Sequence, residues 1–430
     1  MTSMLRMSRV IASAVVCVAL AGCNLDLENP NSPSSEQVVT SADGVLAVTV
    51  GMQAQFAQSI EDYIVPSALG TDEWGTRTRA LISWITLFTG DNFDQSFGTV
   101  YAPYANSFQV IRSANTALQG ADELDLGTAT EAGVRATAKL FKAMALGWLV
   151  QIYGDVPVDV STSGAVPKPR AEVLDSVLAL LESARTDLST VSDADLATFR
   201  ARALGSGLSL RNTIDAMLAR YYLIDGQFPA AIAAADRVNL GVLSTLTYPA
   251  PTRNPIENLA FQLQYVGGLQ SFVTGAQPGD RRPAYWVDVA AAALPANPAD
   301  SVVKPLKKYS APNEPFPLYL PDEMRLIKAE ALARTNQFAA AADLVNAVRT
   351  QTSSALDEPV AGLPALPASA LDTQEELLAE IAYERRYELF MQGLRWEDTR
   401  RFGTALTTTP TFPYLPLPLT ECQVNPNSGC

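Results

Sequence analysis

Along this chain apolar positions recur mostly at helical spacing. The clearest stripe lies between Glu131 and Tyr153, where Val134, Ala138, Phe141, Ala145, Trp148, Leu149 and Ile152 share one face. Gly154 stands where a left-handed C-terminal cap is expected, and Asp155-Val156-Pro157 forbids continuation. The same spacing predicts helices over Ser41–Ile60, capped by Ser41 or Asp43, over Tyr104–Gln119 and over Arg170–Leu188. Two later stretches repeat one another at an offset of 110. In Ile214–Asn239 and Arg325–Thr350, Ala219 matches Ala329, Gln227-Phe228 matches Gln337-Phe338, and Ala230-Ala231 matches Ala340-Ala341. Each reads as a helix–turn–helix unit in which small residues allow close approach and the Phe opens the second helix. This is the pattern of tetratricopeptide-like pairs.

Three stretches break the helical rhythm. Residues 249–321 hold 12 of the chain's 28 prolines, so loop and short strand are expected there. Residues 61–100 gather Gly70, Gly75, Gly90 and large aromatics, and residues 356–371 form a third break. The expected fold is therefore mainly α: a tetratricopeptide-like helical-pair scaffold with irregular, loop-rich inserts. Inserted loops of this length are where binding surfaces usually sit.

The N-terminus departs from both patterns. Arg6 and Arg9 precede an uninterrupted small and apolar run, Val10–Leu20, which is too short to span a bilayer and reads as a signal-peptide core. It ends in Leu20-Ala21-Gly22-Cys23, which resembles a bacterial lipobox. The resemblance implies that residues 1–22 are removed, that Cys23 carries lipid, and that 23–40 form a polar tether. Residues 41–430 are then one domain. Asn24, where Asp would be the retention signal, favours the outer membrane.

Composition narrows the chemistry. Of 430 residues 48% are hydrophobic and 18% charged, which is a globular balance. Zero His excludes Ser-His-Asp and Cys-His catalysis and His-ligated metal. A net charge of −14 argues against nucleic acid. With Cys17 in the signal and Cys23 lipidated, Cys422 and Cys430 remain around a Pro-Asn-Ser-Gly turn. Outside the cytoplasm this pair is expected to form a structural disulfide, since two further ligands for a metal are missing. No cofactor and no metal site are expected; the spacing of Asp91, Asn92 and Asp94 does not match a calcium loop.

Ala379–Gly403 carries Ile381, Glu384-Arg385, Glu388-Leu389, Gly393, Arg395-Trp396, Asp398 and Arg401. Upstream lie Tyr153-Gly154-Asp155-Val156-Pro157, Asp280-x-Arg282, Lys307-Lys308-Tyr309 and Leu326-x-x-Ala-Glu330-Ala331, and downstream Pro416-Leu-Pro418 and Asn425-Pro426. Together these resemble the SusD/RagB family of nutrient-binding outer-membrane lipoproteins. The resemblance implies a surface-exposed, lipid-anchored protein of a Gram-negative bacterium. It would bind a nutrient, glycan or peptide, and deliver it to a SusC-like TonB-dependent transporter. The alternative is a tetratricopeptide-type envelope scaffold without a small-molecule site.

Glu384 and Glu388 lie four apart on a helical face, and could be the acid and base of a glycosidase. The arginines around them favour a structural ion network of Glu384, Arg385, Glu388, Arg395 and Asp398, with both carboxylates ionised. No catalytic residue is assigned. Sugar binding asks for flat aromatic faces beside hydrogen-bonding groups, and the inserts supply Asp72, Trp74, Asn92, Tyr285 and Trp286 as candidates. Trp148 and Trp396, on helical stripes, and Trp84, in an apolar run with Leu81, Ile82, Ile85 and Leu87, are expected in the core.

Overall fold

The computed structural model describes residues 39–90, 94–158, 160, 164–298, 302–403 and 413–430. The signal segment, Cys23 and Asn92 lie outside them. The helices are α1 Ala42–Gln58, α2 Ile60–Leu69, α3 Ile82–Thr89, α4 Gly98–Glu123, α5 Thr128–Tyr153, α6 Arg170–Asp187 and α7 Ala197–Ala203. They continue with α8 Leu210–Ile224, α9 Phe228–Arg237, α10 Pro321–Arg334, α11 Phe338–Arg349, α12 Gln374–Glu388, α13 Arg395–Phe402 and α14 Leu419–Val424. Four strands, β1 Trp74–Thr76, β3 Val266–Leu269, β4 Leu294–Pro295 and β5 Val302–Lys304, form an antiparallel sheet in the order β1-β3-β5-β4. A separate pair joins β2 Thr245–Leu246 to β6 Phe316–Pro317.

Local signals fix the helix ends. Ser41 accepts a hydrogen bond from the Gly44 N–H (3.1 Å) and caps α1. Thr373 and Glu376 form a reciprocal capping box at α12. Gly154 ends α5 with φ 78°, a value that favours glycine. From there each helix packs on the next in an extended array. α4 lies on α1 and α5, α5 on α6, and α6 on α8; α8 lies on α9, α9 on α10, and α10 on α11 and α12.

The two repeats are superposable at their junctions. Gly226 (φ 79°) and Asn336 (φ 61°) both take the left-handed conformation that turns the chain. The Gln227 N–H then donates to the Tyr222 carbonyl (2.8 Å), and the Gln337 N–H donates to the Leu332 carbonyl (2.9 Å). Phe228 and Phe338 open the second helices, and Ala219, Ala231, Ala329 and Ala341 are fully buried where the helices meet.

Residues 61–100 are more regular than expected, because α2 and α3 occupy much of that insert. Pro66 sits inside α2, where local pattern argues for a break but burial on both sides overrides it. Residues 249–321 hold only short strands and single helical turns, including a π turn at Asn258–Gln262 and the turn Arg282–Trp286. The Cys422–Cys430 disulfide is present and closes the tail. Among the described residues no helix is long and apolar enough to cross a membrane.

The closest helix contact depends on one glycine. A Cβ at Gly147 of α5 would lie 2.0 Å from the Tyr221 hydroxyl of α8. Gly51, in the exposed part of α1, has nothing within 4 Å of its Cβ position. Gly147→Ala should therefore cost about 1–3 kcal/mol through overpacking. Gly51→Ala should add up to about 1 kcal/mol by helix propensity. Urea unfolding of both variants checks the opposite signs.

Candidate functional site

The loop-rich face is anchored from beneath by buried charge. Asp72 follows α2, and Arg395 Nε donates to its Oδ1 at 2.8 Å while Arg386 pairs with its Oδ2 at 2.9 Å. Burial pushes the Asp72 carboxyl up, but these two guanidiniums outweigh it and hold the group below its usual range. The next residue has no such partner. Burial, with Asp72 beside it, pushes Glu73 up to about 8. From this anchor β1 runs against β3 in the register Trp74↔Gly268, Gly75↔Gly267, Thr76↔Val266. Glycine at 267 is required here, since a Cβ would lie 2.6 Å from the Lys304 carbonyl of β5.

Beyond β1 the chain emerges onto the surface. The Arg77 N–H donates to the Tyr265 carbonyl (2.7 Å), and Arg77 pairs with Ala296 in an isolated bridge. A turn, closed by the Ala80 N–H on the Arg77 carbonyl (2.9 Å), leads into α3. Leu81 and Ile82 at the start of α3 are 52% and 65% exposed. Trp84 is half-buried and meets the Tyr265 ring edge-on, with centroids 5.5 Å apart and planes at 82°. Gln264, at φ 57°, turns the backbone that presents Tyr265. The result is an amphipathic face of Leu81, Ile82, Trp84 and Tyr265 flanked by Arg77 and Arg79.

The tryptophans expected at a binding surface are not on it. Trp74 and Trp286 are 0% and 1% exposed, and Trp286 Nε1 donates to the Tyr387 carbonyl (2.9 Å). Both are core residues: Trp74 lies on β1, the edge strand paired with β3, within the main hydrophobic cluster, and the Arg282–Trp286 turn is pressed against α12. Asp72 is equally enclosed, so it is an anchor rather than a ligand contact. Tyr285 is half-buried, stacks edge-on to Trp286, and donates to the Asp357 carbonyl (3.0 Å). Trp148 and Trp396 are buried as expected, and Trp84 is partly so, packed against the margin of the core. The apolar run around Trp84 disguised a short helix whose first turn faces solvent. Exposed Leu and Ile in that run, and Arg at both ends of its leading turn, were the available signal.

A second concavity, of about 500 Å³, lies between α4, α14 and the residues Pro157, Val160, Gly164 and Ala165. Tyr101, Tyr104 and Phe108 give it aromatic walls, and Arg112, Glu421 and Asn425 give it polar ones. Its rim is held by the disulfide-closed tail, where Asn425 Nδ2 donates to the Ala165 carbonyl (2.7 Å).

The charge network is real but wider than the sequence suggested. Arg282, fully buried, pairs with Asp280 (2.7 Å) and Glu384 and lies 3.6 Å from Glu388. Arg385 pairs with Asp398 (2.9 Å), which also meets Arg401 (2.8 Å), and Arg401 reaches Glu330 (2.9 Å). Glu384 and Glu388 are 0% and 1% exposed, so no substrate reaches them. Glu388 departs from the expectation of a carboxylate stabilised by its arginines. Neither of its oxygens has a hydrogen-bond partner, and burial together with Asp322 raises its pKa well above the usual range. Among the described residues no group of three acids or cysteines is placed to hold a metal ion.

Residues 308–427 match the SusD family model. No curated protein matches the sequence. The fold is that of several solved SusD structures. A SusD superfamily protein from Parabacteroides distasonis is 17% identical with a TM-score of 0.70, over 90% of this chain and 98% of that one. One from Bacteroides vulgatus is 14% identical with a TM-score of 0.68, over 92% and 98%. A laminarin-binding SusD-like protein is 15% identical with a TM-score of 0.68, over 89% and 97%.

The buried carboxyls predict a pH dependence. Glu73 and Glu61, both pushed up to about 8 by burial, and Glu388 keep protons in the folded state that the unfolded chain releases near 4.5. Their contribution is complete below that value and is lost as pH rises toward 8. Asp72, Asp398 and Glu330 are shifted down, so their contribution is lost on acidification below about 4. Thermal melts from pH 3.5 to 9 should give a maximum Tm near pH 5, and Glu73→Gln should flatten the alkaline side.

Proposed function

We propose, from the SusD-family match over residues 308–427 and the SusD-type fold of the described chain, that this protein binds a glycan nutrient. We place the site on the Trp84–Tyr265 face. The observation that carries the reading is a half-exposed aromatic pair on a loop-rich surface, locked from below by the sheet and the Asp72–Arg395 pair. A sugar ring offers C–H groups to an aromatic face, which Trp84 and Tyr265 supply, and the Arg77 backbone is bonded beside them at the Tyr265 carbonyl. The laminarin-binding relative supports a carbohydrate as ligand class.

In this reading the protein makes and breaks no bond. Its buried carboxylates are out of a substrate's reach, which supports reversible capture rather than hydrolysis. Capture would be followed by handover to a SusC-like TonB-dependent transporter. Lipid on Cys23 would hold the protein at the outer membrane, facing the cell surface, with several acyl chains making the anchor stable. An envelope scaffold without a ligand site is the competing reading.

Two measurements separate these. On a panel of immobilised oligosaccharides, Trp84→Ala should weaken retention by at least about 2 kcal/mol, roughly thirtyfold. Tyr101→Ala, in the α4–α14 concavity, should leave retention unchanged. Loss in the second variant alone moves the site, and no retention by wild type supports the scaffold. Trp286→Ala should instead cost about 3–5 kcal/mol of stability. Separately, Cys23→Ser should move the protein from the membrane to the soluble fraction of cells, and continued sedimentation with membranes counts against lipid anchoring.

A further inference from the structure

The chain has 45 acidic and 31 basic Lys and Arg residues, so acids are in excess and most described arginines are ion-paired. Arg77 and Arg79 are exceptions. Among the described residues neither has an ion-pair partner or a side-chain hydrogen bond, although carboxylates outnumber cations in the chain. They sit two residues apart on the turn that leads into α3, with Arg79 exposed and Arg77 half-buried. Their charges oppose one another: burial and the nearby Arg79 both lower the Arg77 pKa. The Arg77 main chain is fixed beside the aromatic pair, by its N–H on the Tyr265 carbonyl and its bridge to Ala296. Two like charges two residues apart, on a turn whose backbone is tied to the aromatic pair, repel one another, and a bound anion relieves that repulsion.

We propose that the ligand of this face is an anionic saccharide, with Arg77 and Arg79 receiving its carboxylate or sulfate while Trp84 and Tyr265 meet its ring. This rests on the glycan-binding reading above and adds the ligand's charge to it. The planar guanidinium suits both acid groups, offering paired N–H donors in one plane. The body of the protein, at −14, disfavours an approaching anion. That field is screened beyond about 8 Å at physiological salt, so a local cationic pair decides recognition at contact. Arg112, which also lacks an ion pair, does not create such a spot, because Glu421 lines the same concavity.

The test uses oligosaccharide pairs that differ only in charge: oligogalacturonides against their methyl esters, and sulfated galactan oligomers against the desulfated chains. Binding of the full-length protein in detergent is measured at low and high salt. The expected result is at least about tenfold tighter binding of the charged member of one pair, equivalent to about 1.4 kcal/mol. Raising the salt should reduce the preference. Whichever pair shows it identifies the acid group. Arg77→Gln/Arg79→Gln should abolish the preference by weakening the charged member to the level of the neutral one, with the Tm unchanged. Equal or tighter binding of the neutral members, or a preference that survives the double variant, overturns the proposal and leaves glycan binding standing. Binding of no oligosaccharide, charged or neutral, overturns both. Trp84→Ala should weaken charged and neutral members alike, which separates the platform from the charge.

Discussion

The guanidinium of Arg282 has no access to solvent, and the irregular half of the molecule is organised around it. A buried cation is tolerable only when paired and hydrogen-bonded. Asp280 supplies one carboxylate from the same turn, and Glu384 on α12 supplies another from 102 residues away. Tyr383 and Tyr387 place their rings 5.7 Å from the same guanidinium. The proline-rich segment cannot form long elements of its own, so this junction seats it on the helical array. Trp286 packs four residues later, and its indole N–H finds the Tyr387 carbonyl.

A second buried pair does the same for the other insert. Arg395 and Asp72 are 323 positions apart in sequence, and their contact seats β1 beneath the exposed face. Both junctions draw on one short stretch of chain, α12 to α13, which is why so many charged residues are concentrated there. Removing one partner would leave an uncompensated buried charge, a penalty of about 3–5 kcal/mol. These contacts hold the proposed binding face; they do not line it.

The helical scaffold was legible because its signals are local. Periodicity marked α5, a matched Gln-Phe marked both repeat junctions, and Ser41 marked its own cap. The buried network was legible in part: the acid–base clustering after Ala379 announced it and Asp280-x-Arg282 stood out upstream, but nothing in the sequence pairs Asp72 with Arg395. The binding face was the least legible. An aromatic in a loop reads the same whether it is pressed into a core or turned to solvent. Trp74 and Trp286 went inward because a sheet and a helix cover them. Trp84 stayed half-buried at the core's margin, meeting Tyr265 edge-on, because α3 is short and starts with the exposed Leu81 and Ile82. Only tertiary contacts decide between these outcomes. The raised pKa of Glu388 was hidden for a similar reason, since Asp322 and Glu358, from two other segments, act on it together with Glu384 of its own helix.

The central claim is that a preformed aromatic face, seated by buried ion pairs, is the capture surface. A crystal structure of the protein with a retained oligosaccharide tests it most directly. The account predicts a sugar ring against Trp84 and Tyr265, with the β1–β3 backbone displaced by no more than about 1 Å from the free protein. A sugar seated instead among Tyr101, Tyr104 and Phe108, with Trp84 uncovered, would contradict it.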